Sequence, residues 1–541
     1  MQLTGDAALL YPCPISSRVR KFHFFFSHFS IAAYSVQSPA ENALQKMEYG
    51  AKNENFTRRS ALSFYLWCSG NMFNLVLYNA RIFGNEDADT VAVKDGRIVY
   101  VGPEAKFASS RAVDLHGMTL MPGFIDSHTH LLNLGLSMNR LDLSRETTRD
   151  MALEKTREYV HKSNSKIVVG YGWDETLWGE KDYITDRELD FTEKPIMLYR
   201  KDMHMAVLNS SAMKLAGISR EAGVFSEESM REVQWLSKPD DAELAAALKS
   251  AGGKAASEGL TAVRDITEYR TMEFLRKLDF PVRVFGVLYD REYGGQNLSN
   301  ECWWGIKAFL DGSIGSRSAA HEGWAQDNLK FTPEALRTHL ERFWNAGMPV
   351  AMHAIGELAT SQAVEALSGQ KGSMRNSIEH FELVEPETLE KVGESTILSS
   401  QPNFLQWSGK GGLYESALGT RWYGKDNPFR IILDSGKHLA FGSDTMPIGP
   451  NYGIGLAVNT PHARQKITVQ EAVNAYTEGS AFLLNRECCM GRIHEGYFAD
   501  LVIQDEKYVS ETKVIGTRKP VATIRGGILT FGNWESIGSN S

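Results

Sequence analysis

Cysteine is scarce in this chain. Cys13, Cys68, Cys302, Cys488 and Cys489 are all that 541 residues contain, and none sits in a C-x-x-C step. An odd, scattered set gives no paired framework and points to a reducing compartment, so a cytoplasmic location is expected. Positive charge is not in excess either. Lys and Arg number 58 against 66 Asp and Glu, a net charge of −8. Neither nucleic acid nor an anionic membrane is therefore expected as a partner. No run is long and apolar enough for a transmembrane helix. The aromatic run at 22–36 is broken by His23, Ser27 and His28, and no A-x-A-like site follows it, so it lacks the form of a signal peptide. What remains, 43% hydrophobic and 23% charged residues, is the balance of a globular protein.

Residues 1–71 do not read as the start of a domain. They are expected to be a disordered extension, or the product of an upstream start codon with Met47 or Met72 as the true initiator. The sequon Asn55-Phe56-Thr57 has no meaning without secretion. From Met72 the texture changes. Phe73–Phe83 is rich in β-formers, and Val91–Val101 reads as two strands around Asp95-Gly96, a strong hairpin signal. Ala499–Ile503 and Val521–Phe531 read the same way, the latter turning at Gly526-Gly527. Segments 72–122 and 488–541 are each too small to bury a core. They are expected to pack together as one composite β-sandwich.

The middle, 123–487, alternates. Apolar runs recur at 166–170, 195–199, 261–263, 282–288, 305–309, 349–352, 376–378, 395–398 and 438–441, with helical patterns between many of them. Asp241–Ser257 is Ala- and Leu-rich, Pro333 opens a helix, and Thr468-Val-Gln-Glu471 is a capping box. Strand–helix alternation predicts parallel βα units, closed as a barrel or doubly wound. The segment exceeds the roughly 250 residues of a bare barrel, so insertions are expected around 137–160 and 205–258.

Polar residues stand where these runs stop. His128 and His130 end the run opened by Phe124-Ile125. Side chains at i and i+2 of a strand share a face, so both can reach one metal ion. Chance alone supplies about 0.4 such pairs in a chain with 14 histidines, so the pair needs context. Lys307 lies inside an apolar strand, His353 follows Val350-Ala-Met352, His380 follows Ile378-Glu379, and Asp444 follows Phe441-Gly-Ser443. Each has an ordinary alternative: a buried histidine, a snorkelling lysine, a helix-capping aspartate. Their joint placement at successive strand ends is where a parallel barrel collects catalytic residues.

The motifs Pro122-Gly-Phe-Ile-Asp-Ser-His-Thr-His130, Gly172-Trp-Asp174, Lys307-Ala-Phe-Leu-Asp-Gly312, His353-Ala-Ile-Gly356, Ile378-Glu-His380, Gln401-Pro402, Gly442-Ser-Asp444 and Gly496-Tyr-Phe-Ala-Asp-Leu501 resemble those of the amidohydrolase superfamily. The similarity runs from Met72 to about Phe531 and is greatest to the branch containing N-substituted formamide deformylases. The resemblance implies a (β/α)8 TIM-type barrel in the α/β class with a composite β-sandwich. It also implies a divalent metal site, zinc by preference, with one or two ions. His128, His130 and Asp444 would hold the more buried ion and His353 and His380 the other, with Lys307 bridging as a carboxylated lysine. Desolvation makes that chemistry accessible, because a neutral amine can add carbon dioxide whereas an ammonium cannot ligate a cation. Two departures are Glu357, where relatives often carry Asp, and the loop Pro447–Asn451.

The implied reaction is metal-assisted hydrolysis of a non-peptide C–N bond in a small-molecule amide, with Asp444 moving the proton. His204 either hydrogen-bonds the oxyanion or is a helix-entry residue. Trp173 and Asp174 are expected at the pocket mouth. Arg317 either meets a substrate carboxylate or is solvated at the surface. A cyclic-amide hydrolase shares all six ligands. A mononuclear deaminase would place Glu three residues after the third histidine and lack the lysine, and a catalytically silent scaffold would show degraded ligands. Base rates of symmetric assembly point to a homodimer.

Overall fold

The computed structural model describes residues 72–538, apart from 105–106, 179–182, 202, 204, 220–222, 227–228, 299–301, 369 and 371–373. The reading of 1–71 therefore lies outside the described residues. Eight runs form one parallel sheet: Phe124–Thr129 (β1), Leu260–Thr267 (β2), Arg283–Tyr289 (β3), Trp303–Phe309 (β4), Val350–Ala354 (β5), Asn376–His380 (β6), Thr396–Ser400 (β7) and His438–Phe441 (β8). They neighbour one another in chain order, every pairing parallel. The first and last meet beyond their ends, where the Asp444 amide donates to the His128 carbonyl at 2.8 Å. The fold is a TIM-type barrel.

Burial on both faces explains why these strands are nearly continuous apolar runs rather than alternating ones. Ile125, Ala262, Val287, Ala351, Ile397 and Ala440 share one core cluster. Their chain neighbours Phe124, Val263, Leu288, Met352, Leu398, Leu439 and Phe441 belong to the large cluster that includes the surrounding helices. Side chains thus alternate between two cores along each strand. Pro333 stands at the start of helix Pro333–Trp344, Thr468 and Glu471 form their capping box, and the helix Asp241–Ser257 has the predicted bounds.

Two expected barrel runs belong elsewhere. Val168–Trp173 and Ile196–Arg200 pair in parallel inside a separate five-stranded sheet with Leu141–Asp142, Met205–Leu208 and Val224–Ser226. This sheet lies between β1 and β2 in the chain and buries cores on both faces: Trp173, Leu198 and Val207 on one, Met197, Tyr199 and Leu208 on the other. Two-sided burial produces the same apolar run in either sheet, so composition did not separate them. The insertion is continuous rather than two pieces around 137–160 and 205–258.

Both chain ends build the remaining layer. Leu75–Tyr78, Thr90–Lys94, Arg97–Gly102 and Ala112–Asp114 form one sheet. Arg81–Ile82, Thr119–Pro122, Leu501–Gln504, Ala522–Arg525 and Ile528–Phe531 form the other. Leu77, Val91, Ile98, Leu120, Leu501, Ile503 and Ile524 share the core between them. Thr119–Pro122 ends one residue before β1, so this layer feeds the barrel directly at Pro122-Gly123. Among the described residues no helix is long and apolar enough to cross a membrane.

Candidate metal centre

Four histidines, a lysine and an aspartate from five strand ends meet at one end of the barrel. The ring centroids of His353 and His380 are 4.4 Å apart, those of His128 and His380 4.9 Å, and those of His128 and His130 5.6 Å. Asp444 Oδ1 lies 3.1 Å from Nε2 of His130 and 3.6 Å from Nε2 of His128. Donor atoms of His128, His130 and Asp444 all fall within 4.8 Å of one another, a group that can hold a metal ion. The local route differs from a plain i, i+2 strand. β1 ends at Thr129, its register against β2 slips between Asp126 and Thr129, and His130 opens the helix Leu131–Asn139.

Backbone conformation supports the same ends. His380 and Asp444 have φ of 71° and 51°, in the left-handed region that non-glycine residues seldom occupy. Such strain concentrates at functional sites because surrounding contacts must over-determine it. A carboxylate does so here: Asp126 Oδ1 accepts from the amides of His128 at 3.1 Å and Ser443 at 2.9 Å, tying the first strand to the segment after the last. Gly442 passes so close that a Cβ there would stand 2.6 Å from the His128 nitrogen.

Two of the rings, His128 and His353, are oriented from behind by carboxylates. His128 Nδ1 is 2.7 Å from Glu379 Oε2, and Arg264 binds the other Glu379 oxygen at 2.5 Å. Arg264 is itself completely buried, donates to the Ser127 carbonyl at 2.6 Å and covers the Trp304 ring. His353 Nδ1 is 2.9 Å from Asp311 Oδ1, and the Asp311 carboxylate also accepts from the amides of Ala320, Ile355 and Gly356. Gly356 is required there, since a Cβ would lie 2.2 Å from the Ala320 oxygen. Carboxylates that fix the far nitrogen of an imidazole set its tautomer and aim its other nitrogen at a ligand.

The electrostatics suit a cation. Burial, helped by the charge of Lys307, brings His128 down to about 4, so it is neutral and donates from Nδ1 to Glu379. Burial likewise lowers His353 and, with the neighbouring imidazoles, puts His380 well below the usual histidine range. Burial resists ionisation of Asp444, but the adjacent His128 and His130 outweigh it and hold the carboxyl below its ordinary range. Burial lowers Lys307 to about 8. Lys307 Nζ and His380 Nδ1 are buried with no hydrogen-bond partner among the described residues. Leaving such groups unpaired costs roughly 1–3 kcal/mol each. A bound cation, and a lysine converted to an oxygen donor, would satisfy that donor set. The residues fit the group.

The other predicted positions are dispersed. Trp173 is fully enclosed in the inserted lobe, with Nε1 donating to the Leu198 carbonyl at 3.1 Å; it lines no mouth. Asp174 caps the short turn at Glu175–Leu177 and binds Lys201 Nζ at 2.6 Å. Arg317 is exposed on the loop after β4, with φ of 55°. His204 lies outside the described residues. Glu357 binds His321 Nδ1 at 2.8 Å and leaves the ligand set intact. Tyr289 was not anticipated. It ends β3 with its hydroxyl 3.4 Å from His130 Nδ1, and burial pushes its pKa up, keeping the phenol protonated. Arg264-Asp265 was also passed over, although two charged residues inside an apolar run are a readable signal.

The profile of the amidohydrolase family matches residues 111–531. The chain belongs to this family. The YtcJ protein of Bacillus subtilis is 28% identical over 511 residues, covering 81% of this chain and 93% of that protein. LONG AFTER FAR-RED 3 of Arabidopsis thaliana is 26% identical over 543 residues, covering 85% and 92%. The crystal structure of an uncharacterized metal-dependent hydrolase from Pyrococcus furiosus superposes with a TM-score of 0.68 at 26% identity, covering 80% of this chain and 98% of that one.

Proposed function

We propose that this amidohydrolase hydrolyses a non-peptide, amide-type C–N bond in a small molecule, using divalent metal held by His128, His130, Lys307, His353, His380 and Asp444. The observation that carries the reading is Lys307. Its amine is fully buried, brought down to about 8 and, among the described residues, without a hydrogen-bond partner, beside four neutralised or paired imidazoles and a carboxylate. As a free amine it can add carbon dioxide, releasing one proton and gaining two oxygens that face the same cluster. Zinc in one or two positions is the expected metal. When bound, a divalent cation there polarises the scissile carbonyl and brings the pKa of a water toward neutrality.

The chain's own residues perform the rest. Asp444, held ionised by His128 and His130, accepts the attacking water's proton at its carboxylate and returns it to the leaving nitrogen. Tyr289, kept as a phenol, donates to the carbonyl oxygen as it gains charge. Asp311 and Glu379 hold His353 and His128 in single tautomers throughout. N-substituted formamides are the substrates to try first.

Metal analysis and a panel of N-formyl, N-acyl and cyclic amides, run on zinc- and manganese-loaded protein, test the reading. Turnover of one amide class is expected, and a cyclic amide would identify the cyclic-amide branch. If every C–N substrate fails while an ester or phosphotriester is hydrolysed, the proposal is wrong.

A further inference from the structure

Beside the histidine cluster stand two stacked aromatic rings that no step above requires as a pair. Tyr289 and Phe309 end the adjacent strands β3 and β4, both half-buried, with centroids 6.3 Å apart and planes 16° from parallel. Phe309 lies 5.3 Å from the His353 ring and 5.1 Å from Lys307 Nζ, while Tyr289 reaches His130. The two rings therefore border both halves of the cluster. Over Phe309 stands a second cation, Lys330, with Nζ 5.4 Å from the ring centroid. Its backbone amide donates to the Leu310 carbonyl at 2.9 Å, which pins the residue next to β4. The side chain is exposed and, among the described residues, has no carboxylate within ion-pair distance.

From this geometry we propose that the site selects amides with a flat apolar group bearing an anion on its far side. The group would lie on Phe309 and Tyr289, and the anion would meet Lys330. The inference rests on the amide-hydrolysis reading above. A protein of net charge −8 repels an anionic ligand at long range, so such a ligand needs a local cation. Among the described residues, no acid lies within ion-pair distance of Lys330 to neutralise it. The ring beneath it excludes water from one side of the pair, which strengthens the attraction over that of a fully solvated ion pair.

The test compares 4-formamidobenzoate with its neutral isostere 4-formamidobenzamide on the full-length, zinc-loaded protein. In wild type, kcat/KM favours the benzoate. In Lys330→Ala the ratio between the two falls about fivefold, through KM, and in Lys330→Glu it reverses. A second arm measures binding of non-hydrolysable 4-methylbenzoate and its neutral ketone isostere 4-methylacetophenone by calorimetry. The benzoate preference should shrink in Lys330→Ala and weaken with added salt in wild type only. Circular dichroism confirms that each variant is folded. If wild type cleaves neither formamide, the formamide form of the functional reading fails, and the calorimetric arm alone decides this inference. An unchanged benzoate-to-benzamide ratio in folded Lys330→Ala overturns it.

Discussion

Glu379 Oε2 lies 2.7 Å from Nδ1 of His128, and both residues are shut away from solvent at the foot of the cluster. The carboxylate is held well below its usual range: burial opposes ionisation, but Arg264, the hydrogen bond with His128 and nearby Lys307 together outweigh it. Arg264, Glu379 and His128 therefore form a chain from the barrel interior to a proposed metal ligand. Glu379→Gln should lower metal affinity by about 10–100-fold with little change in fold. Arg264→Met should cost about 3–5 kcal/mol, because it strands a buried carboxylate. Competition with a chelator reads the first, and urea unfolding reads the second. A Glu379→Gln protein with wild-type metal affinity would remove the chain from the account.

Lys307 offers the sharpest test of the ligand set. Purified protein should carry up to two equivalents of metal. Lys307→Ala should lose metal and recover it when formate, acetate or propionate is added, since a short carboxylate would occupy the space of the proposed carbamate. Elemental analysis before and after addition reads this directly. Intact mass measured under native conditions should show the added carbon dioxide on wild type alone. Full metal occupancy in Lys307→Ala without added acid would exclude a bridging role.

Asp426 makes a pH prediction away from the metal. It is buried, accepts from Ser408 Oγ and from Asn427 Nδ2, and burial pushes its carboxyl above the ordinary range. Below about pH 4 the group is protonated both folded and unfolded, and contributes no penalty. As pH rises, the unfolded chain ionises first while the native state keeps its proton, so native stability falls until the native pKa is passed. Asp426→Asn removes that titration. Its urea midpoint should gain on wild type as pH rises above about 4, and an identical pH slope in both proteins would contradict the assignment.

The barrel was legible because its strands are short apolar runs that end on chemistry-bearing residues; His128, Lys307, His353, His380 and Asp444 all mark such ends. The inserted sheet was not, because Val168–Trp173 and Ile196–Arg200 are buried on both faces just as barrel strands are. Trp173 was misplaced for that reason: its motif position says nothing about which sheet encloses it. Arg264 and Glu379 are 115 residues apart, and only barrel closure brings them together. Residues that act behind the ligands are set by long-range pairing, which local patterns do not encode. Tyr289 is the harder case, since a tyrosine ending an apolar strand is common.

Tyr289 is also where the chemistry can be separated from the scaffold. Its hydroxyl is 3.4 Å from His130 Nδ1, so it has two candidate roles: orienting that imidazole, or donating to the developing oxyanion. A contact that long is a weak hydrogen bond, which favours the second role. Tyr289→Phe keeps the ring and its stacking on Phe309. If the hydroxyl serves the transition state, kcat should fall by about 100-fold while KM and metal content stay close to wild type, since removing one oxyanion donor costs roughly 10²–10³ in rate. If it orients His130 instead, metal affinity falls first and excess metal restores the rate. Steady-state kinetics at saturating metal, set beside chelator competition, tells the two apart. A rate restored by excess metal would return Tyr289 to a supporting part.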